Sequence, residues 1–315
     1  MNLRCYCAAM VGLMLLTGCH EIRGGLAVAS LSDEDASLPM AGTFDNHEQV
    51  WQSRTQQTAA PPHVVLTLEP QPPNGWTLWR VHLDTEPPLD STWAMQRRIA
   101  ADGSVMLTPY RSLTATPGSS KDFEASQWAA LDACSLHETS VAYALHANAD
   151  AAACATIAPG IGSNAALLPL SFEREGEFLH IRFYADQARG AAARENLRRV
   201  HWFSGWAAIN GAGPKASAES KDWHMNRGLR LSSEGGRAEL EWRDGAASGY
   251  SIALERLTYR QSHTPILKLS VIEDASAQVL TYAWANPEAT RIGLNLGWLQ
   301  IGLDEQGSVP NVQPQ

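Results

Sequence analysis

Three short stretches of this chain carry side chains that could hold an anion or a polar ligand. "AGTFDNHEQVW" (residues 41–51) sets Phe44, Asn46, His47 and Gln49 close together: an aromatic ring, two amides and an imidazole. "WTLWRVHL" (76–83) carries Arg80, and "WAMQRRI" (93–99) carries Gln96 and Arg97. A guanidinium grips a carboxylate through two parallel N–H donors, while amides fix the orientation of what is gripped. Recognition of an anion is therefore the chemistry on offer. No Gly-x-Ser-x-Gly elbow, His-Glu-x-x-His pair or phosphate loop occurs, and no catalytic residue is assigned. Each candidate also has a purely structural reading. Asn46 and Gln49 serve equally well to hold a helix against a neighbouring loop. His47 fits a half-buried, hydrogen-bonded histidine better than a base. Arg97 and Arg98 are consecutive, so on a strand they face opposite ways and at most one enters a pocket.

Elements that would position these groups follow from periodicity. After Pro39, the residues Met40, Phe44, His47 and Trp51 recur at i, i+4, i+7, which predicts a helix ended by Pro61-Pro62. Beyond it the period becomes two. "HVVLTLE", "WTLWRVHL", "STWAMQRRIAADGSVMLTPYRSL" and "FLHIRFYAD" read as antiparallel strands, with Asp102-Gly103 as a hairpin turn. Arg80 shares a strand face with Trp76, Leu78 and His82, and alternation alone leaves open which face looks inward. A second short helix is predicted at "KDFEASQWAAL", and "VHWFSGWAAI" closes the first region near Gly213. The small, polar stretch "GAGPKASAES" supplies a linker at 214–220, before a strand meander over 221–305 and a loose tail at 306–315. The fold class expected is all-β: a barrel domain over 38–213 with an N-terminal helix, then a C-terminal antiparallel meander.

Bulk composition narrows the partners. A 315-residue chain with net charge −9 lacks the cationic surface that displaces counterions from nucleic acid, so no nucleic-acid partner is expected. Residues 1–18 read as a signal peptide: an early cation, a short apolar core, then a small-residue site. Leu16-Thr17-Gly18-Cys19 resembles the bacterial lipoprotein box, in which the Cys19 thiol takes a diacylglyceryl group and becomes the mature N-terminus. Acyl chains hold a protein on a membrane through about 0.8 kcal/mol per buried CH₂. Residues 19–37 would then be a flexible tether, and His20 after the cysteine implies the outer membrane, facing the periplasm. Of five cysteines, Cys5 and Cys7 leave with the signal and Cys19 takes lipid. Cys134 and Cys154 remain, an even pair in an oxidising compartment, so a disulfide is the default. A catalytic thiol is the alternative, and the spacing fits no metal signature, so no metal is expected.

At Gly42, Phe44, Asn46 and Gln49 the segment "LPMAGTFDNHEQVW" resembles the opening Gly-x-Phe-x-Asn-x-x-Gln pattern of the CpcT/CpeT family of chromophore lyases. "GWTLWRVHL", "MQRRIAADG", the cysteine pair and "VHWFSGW" follow in family order, so the resemblance covers about residues 38–213. Where members carry Tyr-Arg-Gln-Arg, this chain has Ala94-Met95-Gln96-Arg97, keeping only the second half. The resemblance implies a calyx-like barrel with Phe44, Asn46, Gln49, Arg80, Gln96 and Arg97 as ligand-binding residues. Its implied guest is an amphiphilic anion, a tetrapyrrole of the bilin kind or a lipid-like molecule, with no required cofactor and with lyase activity as the narrower implication. A reading from another class stands beside it: a non-enzymatic outer-membrane lipoprotein that docks an envelope protein or a glycan. Its basis is the surplus of aromatics after residue 220, namely Trp223, Trp242, Tyr250, Tyr259, Tyr282, Trp284 and Trp298.

Overall fold

Runs of alternating polarity bury one face and wet the other, and the structure turns each run named above into a strand. The computed structural model describes residues 41–71, 75–114, 123–141, 144–190, 193–217, 219–259 and 264–307. The expected signal peptide, Cys19, the expected tether and all but the first two residues of the expected tail lie outside these. Among the described residues, the first eleven strands are β1 (Gly42–Asp45), β2 (His63–Gln71), β3 (Trp76–Asp84), β4 (Leu89–Ile99), β5 (Val105–Ser112), β6 (Trp128–Ala130), β7 (Leu136–Val141), β8 (Ala144–Ala149), β9 (Pro169–Glu175), β10 (Phe178–Phe183) and β11 (Glu195–Arg199). They run in the order β4-β3-β2-β1-β11-β10-β9-β8-β7-β5, and β5 pairs back onto β4, which closes a ten-stranded antiparallel barrel; β6 hangs on β5.

Closure sends every second residue inward. Phe44, Leu66, Leu68, Trp79, Trp93, Met95, Phe172 and Ile181 meet there in one apolar cluster. One end of the barrel is plugged. A 3-10 turn (Asp132–Cys134), helix α2 (Ala151–Ala155) and a 3-10 run (Ala158–Leu167) place Leu131, Cys134, Cys154 and Leu167 in the same cluster. The Trp93 Nε1 donates to the Leu167 carbonyl across 3.0 Å, so an interior indole is satisfied by the plug. The expected calyx is thus a filled one.

Two predicted helices need correction. Residues 42–45 form a strand, and α1 (His47–Thr55) starts only afterwards. Phe44 pairs with Leu66 on one side and Arg199 on the other. An inward strand position buries its ring completely, which the helical spacing to Trp51 did not anticipate. The Asp45 Oδ1 then accepts from the His47 N–H at 2.7 Å and so caps a free helix donor. The described part of "KDFEASQWAAL" is a 3-10 turn (Ala125–Gln127) followed by β6. Phe123 and Trp128 pack there on Trp76, Leu78 and Tyr110 in a small second core on the barrel's outer face.

The remaining strands are β12 (Trp202–Asn210), β13 (Trp223–Ser232), β14 (Glu234–Glu241), β15 (Ala247–Tyr259), β16 (Thr264–Glu273), β17 (Gln278–Ala285), β18 (Arg291–Asn295) and β19 (Leu299–Glu305). They make two four-stranded sheets, β13-β12-β19-β18 and β14-β15-β16-β17. Their facing side chains, among them Phe203, Ile209, Leu254, Leu269 and Ile301, form one core, which makes the meander a sandwich. Strand β12, read from sequence as closing the first region, pairs with β13 and β19 instead. The chain therefore leaves the barrel at Val200–His201, and the stretch around 214–220 connects two neighbouring strands of one sheet. Strand propensity reports that a segment is extended, not which partner it takes.

Cys134 and Cys154 are disulfide-bonded, 20 residues apart in sequence, and staple the plug. Cys134→Ala/Cys154→Ala is expected to lower stability by about 3 kcal/mol, the loop-closure value for such a span. Urea unfolding of the double variant beside the wild type measures this, and an unchanged midpoint would show that the plug does not need its staple.

Candidate functional site

The six residues singled out by sequence do not meet in a cavity. Phe44 is fully buried with the Arg199 guanidinium 4.9 Å from its ring centre. Asn46 spends its amide internally: its Oδ1 accepts from the Val64 N–H (2.8 Å), and its Nδ2 donates to the Pro62 carbonyl (2.9 Å) and Glu195 Oε2 (3.0 Å). Gln49 donates to the Arg194 carbonyl (3.1 Å) and accepts from the Asn196 N–H (2.9 Å), tying α1 to the start of β11. Arg80 sits on the outer face beside Glu69 at 3.3 Å. Gln96, also outward, accepts from the Tyr110 hydroxyl (2.8 Å) and Arg98 Nε (2.7 Å). Only Arg97 faces inward with a free-standing charge to offer, and Glu138 takes it at 2.9 Å. Phe44, Asn46 and Gln49 share one corner of the barrel; the two arginines and Gln96 lie elsewhere.

The unplugged end of the barrel holds a group that sequence reading passed over. Arg174 projects inward, cross-strand from Leu179 and Leu145, and its Nε and Nη1 are buried without hydrogen-bond partners. Burial and the neighbouring Arg199 guanidinium push its pKa down from the usual arginine value. Arg199 donates to the Ala41 carbonyl at 2.6 Å.

The densest electrostatics lie between barrel and sandwich. Glu234 receives both Arg198 Nε (3.0 Å) and Nη2 (2.8 Å), a bidentate pair, and also Arg256 Nε (3.2 Å). All three residues are buried. Arg198 continues to Glu48 Oε2 on α1 (2.6 Å), and Arg256 to Glu177 Oε2 in the β9–β10 hairpin (3.0 Å). Glu177 in turn holds His201 Nε2 at 2.6 Å, and the other ring nitrogen of His201 contacts Glu305. Burial pushes the Glu177 carboxyl up, but Arg256 and His201 outweigh it and hold the group below the usual carboxylate range. Nearby, hydrogen bonding to Asp45 raises the pKa of His63. Helix α1 thus clamps the second sheet. Glu48 also accepts from the Thr258 N–H (2.8 Å), His47 pairs with Glu255 (3.2 Å), and Gly235, at φ +82, leaves no Cβ to obstruct the His47 ring. His47 is therefore the satisfied, half-buried histidine expected.

Two features of the outer surface remain. A polar cavity of about 450 Å³ lies on the outer face of β8, β9 and β10. On β17, Tyr282 and Trp284 are 51% and 58% exposed, with rings 5.3 Å apart and 13° from parallel. The row continues from Trp284 to Tyr259 (6.0 Å) and from Tyr259 to Trp51 on α1 (5.7 Å). Of the other aromatics after residue 220, Trp298 is buried, Tyr250 and Trp242 pack on the sandwich core, and Trp223 donates to the Ser220 carbonyl. Among the described residues no three His, Cys, Asp or Glu side chains are grouped as metal ligands, and no helix is long and apolar enough to cross a membrane.

The buried Arg198–Glu234–Arg256 group yields a two-part expectation. Glu234→Ala leaves two guanidiniums uncompensated and is expected to cost roughly 3–5 kcal/mol, whereas replacing all three with apolar residues of similar size restores most of the loss. Chemical denaturation of both variants decides it; a single substitution costing under about 1 kcal/mol would mean that water already screens the group. No family model, curated protein or solved structure matches this chain, so its function is argued from the placement of its own residues.

Proposed function

We propose that this chain is a non-enzymatic envelope lipoprotein, anchored through Cys19 to the outer membrane, that docks a glycan through the aromatic row of β17 while its barrel serves as a solid scaffold. The carrying observation is the exposed, near-parallel pair Tyr282 and Trp284. Large rings left in water mark a surface that a partner covers. Sugar C–H faces pack on aromatic rings while hydroxyls turn to polar neighbours. A polar neighbour is present: Lys268 lies cross-strand from Trp284, and its ammonium stands 5.7 Å from the Tyr282 ring. A single row flanked by charge is narrower than the apolar core that a stable protein interface buries. The resemblance to chromophore lyases enters this reading as the origin of the barrel. A container for an amphiphilic anion, bilin-like or lipid-like, is less well supported, because Arg97 is spent on Glu138 and the interior is packed with apolar side chains.

The anchor is tested by labelling cells with radioactive palmitate. Label on the wild type, absent from Cys19→Ala and accompanied by release of the variant from the membrane fraction, is the expected result; membrane retention of an unlabelled Cys19→Ala would overturn the anchor. Docking is tested by co-sedimentation of the detergent-solubilised full chain with purified peptidoglycan and with the polysaccharide of the outer leaflet. Saturable binding to one of them, weakened about tenfold or more in Tyr282→Ala/Trp284→Ala, supports the reading. Binding that ignores the double substitution, or that appears only with plain phospholipid vesicles, refutes it.

A further inference from the structure

We propose that the cavity on the outer face of β8–β10 is a binding site for a small hydroxylated molecule bearing an oxyanion. The site stands apart from the aromatic row and does not depend on it. Its construction follows from register. His146, Glu173 and His180 are direct cross-strand partners and form one row, while Asn148, Ser171 and Arg182 form the next. Their strand neighbours Ala147, Phe172 and Ile181 are in the barrel core, so all six of these side chains project outward together.

A barrel's outer face is ordinarily convex, and depth here comes from Ala193 and Arg194, which wall the cavity. That wall is pinned from two sides. Gln49 donates to the Arg194 carbonyl at 3.1 Å, and Arg194 Nη1 lies 3.7 Å from Glu173 Oε2. The resulting volume, about 450 Å³, falls within the range that small ligands occupy.

Charge and unspent donors choose the ligand class. Two guanidiniums, Arg182 and Arg194, line the cavity with a single carboxylate, Glu173, and Arg182 Nη2 donates to the Gly190 carbonyl at 3.4 Å. Arg182 has a buried Nε with no hydrogen-bond partner, and a strand irregularity between Arg182 and Phe183 sets it apart from the regular ladder. Bulges of this kind re-aim side chains beside binding sites. An unpaired buried donor is unfavourable until something accepts from it, and an oxyanion is the strongest acceptor available. His180 Nδ1 is engaged by Asn196 Oδ1 at 2.7 Å, which leaves Nε2 as its unspent nitrogen. Asn148, Ser171 and Glu173 add short polar groups suited to hydroxyls. A metal fits less well, because the nearby Arg194 guanidinium competes for the only carboxylate.

Isothermal titration of the full chain in detergent micelles with inorganic phosphate, glucuronate and glucose tests the proposal. Saturable binding of at least one anion and none of glucose is expected, and the anion that binds tells phosphate from carboxylate recognition. Arg194→Gln and Arg182→Gln are each expected to weaken that binding about tenfold or more. Should Arg182→Gln fail to fold, histidine ring resonances of the wild type give a second readout: those of His146 and His180 shift with the anion, and that of His224 in the sandwich does not. Absence of saturable heat with both anions, equal binding of glucose, or binding that leaves the His146 and His180 signals unmoved overturns the site.

Discussion

Ten strands closed into a ring enclose more space than eight, and that space must hold either side chains or something else. Here it holds side chains. Two indoles, Trp79 and Trp93, and two phenylalanine rings, Phe44 and Phe172, are buried to 3% exposure or less, and the plug adds Cys134, Cys154 and Leu167 at one end. These side chains form one contiguous apolar cluster across the interior, so an anionic guest would meet mostly hydrocarbon there. The inward charged and amide groups named above lie toward the ends: Asn46 and Glu195 near α1, and Arg97, Glu138, Arg174 and Arg199 at the opposite rim. The exposed polar and aromatic groups are carried on the outer faces, on strands whose register the apolar interior holds.

The same logic explains the charged layer between barrel and sandwich. A buried carboxylate between two guanidiniums adds little net stability compared with an apolar filling, because desolvation consumes most of the Coulombic gain. What it adds is direction. Glu234 can satisfy Arg198 and Arg256 together only in one placement of β14 against β11 and β15, and the outer arms of that group, Glu48 and Glu177, lie on two different barrel elements. The sandwich is thereby indexed to the barrel through α1 and the β9–β10 hairpin. The quoted helix segment, with its crowd of acids and imidazole, is spent on that indexing: His47, Glu48 and Trp51 all reach β15.

Much of the fold was legible because period two is a local property. The hairpin at Asp102-Gly103, the long strands β2 to β5 and the whole C-terminal set follow from alternation and turn residues. The strands β7, β8, β9 and β11 were not foreseen, being short or carrying charges inward, as Glu138, Arg174, Glu195 and Arg199 do. Pairing partners are non-local, so the transfer of β12 to the sandwich could not be read from "VHWFSGWAAI". For the site, the residue types were visible but their faces were not. Arg80 and Gln96 turned outward and Arg97 inward, a distinction fixed by whether Trp76 or Trp79 enters the larger core. The row His146–Glu173–His180 spans three strands, two of them unpredicted, and no linear spacing reveals it.

Exposure on β17 has a second physical consequence, since β17 is an edge strand and an apolar edge invites pairing with another chain. Natural edges are blunted by charge or by cover. On this one Tyr282 and Trp284 stand out of the sheet face, not along its open edge, and Lys268 sits beside them on the adjoining strand. Trp51, Tyr259, Trp284 and Tyr282 come from three separate elements, yet each ring meets the next within 6.0 Å. Their alignment depends on the charged layer that seats α1 on β15. Thus the groups buried between the two halves determine the continuity of the surface presented outside.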